Sequence, residues 1–239
     1  MKITIPKAVV VTAFNSVLAS TKVLLHSLGK KKGTSWHKNI SHIRLPTGAK
    51  WPIDVPEYAH NIGKLRKLKY YLNQLESATI QATAVGNRIQ VDVRFESQGE
   101  EVKAKCIRRL FGKWGECSLK MERDIHLNNT LLSVSFVPVA YNGSISYASP
   151  KVTFKTDIKI ANRLCKAFKG ICGAIEKTIK KRLSSKIVSA ARAAFNDPKL
   201  KKQVANKVKN TPGLRSYLDG RKVLKVESKG NNFVVTVED

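Results

Sequence analysis

The stretch ANRLCKAFKGICGAIEKTIKKRLSSKIVSAARAAFNDP, residues 161–198, decides how the rest of the chain must fold. Its apolar residues fall at Leu164, Phe168, Ile171, Ile175, Ile179, Leu183, Ile187, Ala191 and Phe195. Steps of three and four place them on one stripe of a helix. Lys166, Lys169, Lys177, Lys180, Lys181 and Arg182 occupy the remaining surface. About 35 residues at the standard helical rise make a rod of roughly 50 Å with one apolar side. Asn196-Asp197-Pro198 ends that rod and starts a shorter helix with Leu200, Val204 and Val208 on one side. Thr211-Pro212 opens a last short turn, so the spacing predicts helices over residues 161–218.

A helix with one apolar stripe has to bury it, and residues 78–160 supply a partner. There the period changes to two. RIQVDVRFES alternates Ile89, Val91, Val93 and Phe95 with polar groups, and EVKAKC alternates Val102, Ala104 and Cys106. CSLKMERDI gives Cys117, Leu119, Met121 and Ile125, and KVTFKTDIKI gives Val152, Phe154, Ile158 and Ile160. LLSVSFVPVAY begins with Leu132, Val134 and Phe136 and shifts face at Pro138, where a bulge or an edge is expected. Such segments predict a meander of antiparallel strands with one apolar and one wet face.

Outward from that centre, IPKAVVVTAFNSVLASTKVLLHSLGKKKG carries apolar groups at Val10, Phe14, Val17, Leu24, Leu25 and Leu28. Pro6 suits a first turn and Gly29 an exit, so a helix is predicted within residues 1–29. Lys2, Lys7 and the apolar run Ala8–Phe14 have the outline of a signal peptide. Asn15-Ser16 interrupts that run, which favours a retained structural helix. Residues 30–56 read as an irregular loop, and Tyr58, Ile62, Leu65, Leu68, Leu72 and Leu75 predict a second helix over 57–77. KVLKVES and FVVTVED flank KGNN, a closing hairpin over 222–239. The expected fold class is α+β in a single domain, residues 1–239. A long curved antiparallel sheet wraps around a long C-terminal amphipathic helix, with an N-terminal helix. Closing such a sheet leaves an elongated apolar interior that acyl chains could fill.

Charge narrows the partners. Lys and Arg number 44 against 17 Asp and Glu, a formal net charge of +27. The excess lies in residues 1–79 and 161–239, while 80–160 is nearly balanced. Self-repulsion of that size points to an anionic partner: nucleic acid, a membrane surface or an acidic glycolipid. No apolar run approaches a membrane span. Nucleophile elbows, phosphate-binding glycine loops and metalloprotease His pairs are absent from the sequence, and His26, His37, His42, His60 and His126 are scattered. Glu122 and Asp124 share a strand face, where surface charges are the ordinary reading. The expectation is therefore not an enzyme, with no metal and no cofactor. Cys106, Cys117, Cys165 and Cys172 lack the tight ligand pairs of a zinc site.

One hairpin stands out. CIRRLFGKWGEC, residues 106–117, presents Arg108, Arg109, Phe111, Lys113 and Trp114 between two cysteines. With the turn centred on Phe111-Gly112, Cys106 and Cys117 stand opposite and form a candidate disulfide. That bond would place the chain in the periplasm or outside the cell. Trp beside Arg and Lys suits the membrane–water interface, where the ring sits among head groups and the cations meet phosphates. The same residues could stack on and neutralise a nucleic acid, or form a solvated basic turn.

The order of elements resembles the tubular lipid-binding superfamily. KAFKGICGAIEKTIKKRLSSKIV looks like the long helix of its bactericidal/permeability-increasing protein, SPKVTFKTDIKI like the strand leading into that helix, and NNFVVTVED like a closing strand. Small bacterial lipid-binding proteins share that pattern. The resemblance implies a phospholipid or lipid A-like ligand and an anionic membrane surface as partners. Its tails would lie against Phe168, Ile171, Ile175 and Ile179 of the helix. On the sheet they would meet Val91, Val93, Phe95 and Leu119, with Met121, Phe136 and Phe154 beyond. Apolar stripes are ordinarily packed core, which is the competing role for each of these residues. The alternatives are a basic nucleic-acid-binding or virion-type structural protein and a membrane-damaging antibacterial protein.

Overall fold

A computed structural model describes residues 1–25, 31–32, 35–36, 41–44, 50–53, 58–72, 75–96, 102–120, 125–160 and 169–239. The chain begins with β1 (Lys2–Pro6), α1 (Lys7–Leu18) and β2 (Lys22–Leu25). Four short strands follow: β3 (Lys31–Lys32), β4 (Ser35–Trp36), β5 (Ser41–Arg44) and β6 (Lys50–Ile53). Then come β7 (Tyr58–Gly63), β8 (Arg66–Leu72), β9 (Leu75–Val85), β10 (Arg88–Phe95), β11 (Val102–Leu110) and β12 (Lys113–Lys120). Two long strands, β13 (Ile125–Tyr141) and β14 (Ser144–Ile160), precede the helices α2 (Lys169–Phe195), α3 (Pro198–Lys209) and α4 (Pro212–Leu218). A hairpin of β15 (Val223–Lys229) and β16 (Asn232–Val237) completes the described elements.

The fold is α+β with a strongly curled antiparallel sheet. The main sheet runs β6-β5-β2-β9-β10-β13-β11-β8-β7, with β12 paired to β11 and β14 to β13. Two bulges interrupt the β13–β14 ladder, one at Asn128/Leu131 and one at Ser135/Val137. Asn129 and Ser149 sit in them at positive φ, 49° each, and bulges of this kind bend and twist a sheet. The face shift expected at Pro138 is absent. Leu132, Val134, Phe136 and Pro138 stay on the buried face, and the bulge lies just before the proline.

Four expectations need correction. Within 57–77, the described residues form β7, the turn after it, β8 and the start of β9 rather than a helix. The cause is tertiary: β8 pairs along Val102–Arg108 of β11, from Leu72 to Arg66, and that pairing overrides a three-and-four spacing. Within 30–56, the described residues are short strands rather than an irregular loop, too brief to show a period. Pro52 lies on β6 at the edge of the main sheet, where a missing N–H costs least. The helix in residues 1–29 covers only Lys7–Leu18, flanked by strands, because Ile3 and Ile5 pair with β16 while Val23 and Leu25 alternate into the core. Finally, β15 and β16 do not close the main sheet. They form a separate three-stranded sheet with β1.

One apolar cluster joins these parts. Val91 stands opposite Val134, Val93 opposite Leu132, and Leu132 opposite Phe154, so β10, β13 and β14 share a continuous buried face. Phe14 of α1 meets Phe136 with ring centroids 5.2 Å apart, Phe136 meets Tyr147 at 5.4 Å, and Tyr147 meets Phe195 of α2 at 6.0 Å. Ile179, Ile187 and Ala191 of α2 are buried in the same cluster, with Leu183 packed on it. Glu176 of α2 accepts the backbone N–H of Ile160 at 2.8 Å, and Lys180 pairs with Asp157 at 3.4 Å. The helix thus runs back along β14, antiparallel to it.

Candidate functional site

Two regions hold the residues singled out from the sequence. The first is the buried sheet face. Val91, Val93, Phe95, Phe136, Phe154 and Ile179 all belong to one core cluster. Leu119, Ile171 and Ile175 lie on β12 and α2, but their side chains fall outside the described residues, as do Met121 and Phe168 entirely. Within the cluster, Tyr147 is 2% exposed and its hydroxyl has no hydrogen-bond partner. Burial pushes its phenol well above the ordinary range, and the Asp197 carboxylate adds to the shift. The group therefore stays a neutral O–H donor inside an apolar surround.

The second region is the β11–β12 hairpin. Its turn is Phe111-Gly112, with φ of 48° and 79°, the left-handed pair that a tight two-residue hairpin needs. Leu110 opposes Lys113, Arg109 opposes Trp114, and Arg108 opposes Gly115. Arg108, Arg109 and Lys113 are exposed, and Phe111 is fully so, at 104%. The Trp114 side chain falls outside the described residues, and so do the side chains of Cys106 and Cys117. The ladder shifts register between Lys105 and Ile107, across the segment that carries both cysteines.

The Phe111 conformation is unusual on this chain's own terms. The β13–β14 hairpin turns on Asn142-Gly143 with φ of 49° and 68°. Asparagine tolerates that conformation, whereas a bulky residue is strained in it. Phenylalanine at 111 thus holds an aromatic ring in water on a strained backbone. Neither folding nor turn formation favours that arrangement.

A neighbouring turn went unnoticed in the sequence. Lys64-Leu65 joins β7 to β8, and the Leu65 carbonyl accepts the Arg109 backbone N–H at 2.8 Å. Lys64 and Arg66 are exposed, and so are Leu65, at 60%, and Leu110, at 46%. A helix over 57–77 would put Leu65 on its apolar face. The signal that locates it is Gly63 followed by the alternation Leu68, Tyr70, Leu72. Among the described residues, no group of three or more His, Cys, Asp or Glu could hold a metal ion.

No protein-family model and no curated protein matches the chain. A crystal structure of a lipopolysaccharide binding protein is similar over 77% of this chain and 43% of its own, with 13% identity and a TM-score of 0.37. The chain spans less than half the length of that protein.

Proposed function

We propose that this chain binds a lipid or acyl-chain ligand without catalysing a reaction, and docks on an anionic membrane surface through the β11–β12 hairpin. The exposed Phe111 carries the proposal: a solvent-facing aromatic ring, kept in a strained turn between Arg109 and Lys113. A ring enters the interface while guanidinium and ammonium groups engage phosphates, each worth about 1 kcal/mol near an anionic surface. The net charge of +27 adds long-range attraction to the same surface.

The ligand in this proposal is a phospholipid or lipid A-like molecule. Its tails lie between the curled sheet face of Val91, Val93 and Phe154 and the α2 stripe around Ile179, with the sheet wrapped around that helix. Tyr147 offers its unpartnered O–H to an ester carbonyl there. Sedimentation with phosphatidylcholine/phosphatidylglycerol vesicles tests docking, and native mass spectrometry after gentle purification tests retained lipid. Binding is expected to weaken as salt rises and to fall when Phe111 becomes Asp. Retention on duplex DNA with no vesicle binding at low salt would overturn the proposal in favour of a nucleic-acid role.

A further inference from the structure

We infer that the β7–β8 turn and the β11–β12 turn act together as one two-fingered wedge for an anionic lipid bilayer, with Leu65 entering beside Leu110 and Phe111. This deepens the docking proposed above and rests on it. The hydrogen bond from the Arg109 N–H to the Leu65 carbonyl, 2.8 Å, ties one turn to the other through backbone and sets Leu65 beside Arg109, two residues from Phe111 at the tip. Each tip projects apolar side chains into water, and exposed apolar groups grouped within a polar rim mark interaction sites.

The rim fits an anion. Residues 58–72 and 102–115 contain no Asp or Glu. Arg66 of β8 stands directly opposite Arg108 of β11, and both are exposed. Like charges directly across a strand pair repel and weaken the pairing. A phosphate between the two guanidinium groups converts that repulsion into shared charge-assisted hydrogen bonds. Lys64, Arg109 and Lys113 complete the rim. A bilayer presents many phosphates around an apolar layer, and so satisfies cations and apolar tips at once. A dissolved anion satisfies only the cations.

The test uses the full chain with vesicles of phosphatidylcholine and phosphatidylglycerol. Leu65→Asp is expected to lower partitioning at least about tenfold, as Phe111→Asp does, because fully burying a leucine is worth that factor or more. Leu65→Trp is expected to gain fluorescence quenching by lipids brominated in the acyl chain, beyond the quenching seen in the unsubstituted chain. Two results overturn the wedge while leaving hairpin docking intact. One is a Leu65→Asp variant that partitions normally while Phe111→Asp does not; the other is a Leu65→Trp variant with no added quenching, whatever Leu65→Asp does. Normal partitioning of both Asp variants overturns the hairpin docking as well.

Discussion

Asn15 of α1 and Ala82 of β9 exchange two hydrogen bonds: the Ala82 N–H donates to Asn15 Oδ1 at 2.6 Å, and Asn15 Nδ2 donates to the Ala82 carbonyl at 3.1 Å. One side-chain amide thus takes the place of a neighbouring strand. It does so where β9 needs one, because β2 pairs with β9 only at Leu24↔Glu76 and Leu25↔Leu75. Replacing Asn15 with Leu leaves both backbone groups of the buried Ala82 without their side-chain partner. A loss of about 2 kcal/mol is expected, read as a lower urea midpoint at unchanged slope. An unaltered midpoint would mean that water serves those groups equally well.

Phe111→Asn separates folding from docking. Asn-Gly suits the left-handed turn at 111–112, as it does at 142–143, so the variant should gain about 0.5–1 kcal/mol of stability. It should also lose vesicle binding. Thermal melting and vesicle sedimentation on the same preparation check both signs. A less stable variant would show that the Phe111 side chain packs on the free fold, against its full exposure.

Tyr147→Phe removes a buried hydroxyl that has no partner. The melting temperature should hold or rise, corresponding to about 1 kcal/mol or less. Co-purified lipid should diminish if the hydroxyl binds an ester carbonyl. A marked fall in stability would show that water bonds this group in the free protein.

Asp157 supplies a pH signature. The hydrogen bond from Asn129, then the one from Lys180, hold its carboxyl below the ordinary value of 3.8. A depressed carboxyl stabilises the folded state above 3.8, and this contribution is lost as pH falls through the lower folded value. Asp157→Asn should therefore be less stable than the parent at neutral pH, with the difference closing and the acid limb flattened as pH falls below about 4. Acid titration followed by circular dichroism reads this, and identical limbs would count against the interaction.

The parts legible in the sequence were those whose partners impose a simple period. Ile89, Val91, Val93 and Phe95 alternate because one face of β10 is buried, and Ile179, Leu183, Ile187 and Ala191 repeat because one side of α2 is. Residues 58–72 satisfy both periods, and the tie is broken by β11, a strand distant in sequence that requires an edge partner. Asn15 looked like a polar break in an apolar helix because its use depends on an unpaired stretch of β9. Phe111 and its cations were visible from composition alone. Leu65 was not, since its exposure follows from the β7–β8 turn.

The pairing of β1 with β16 also constrains how the chain is made. Ile3 lies opposite Val235 and Ile5 opposite Phe233, while Pro6 leads directly into α1. During synthesis, β1 leaves the ribosome early and waits for its hydrogen-bonding neighbour until residues 232–236 follow. Contacts between such distant segments form late, and an unpaired apolar strand is an invitation to misassociation meanwhile. A nascent chain stalled before Asn232 would carry β1 and β15 with open edges. The small sheet therefore fastens β1 only once β16 is available to pair with it.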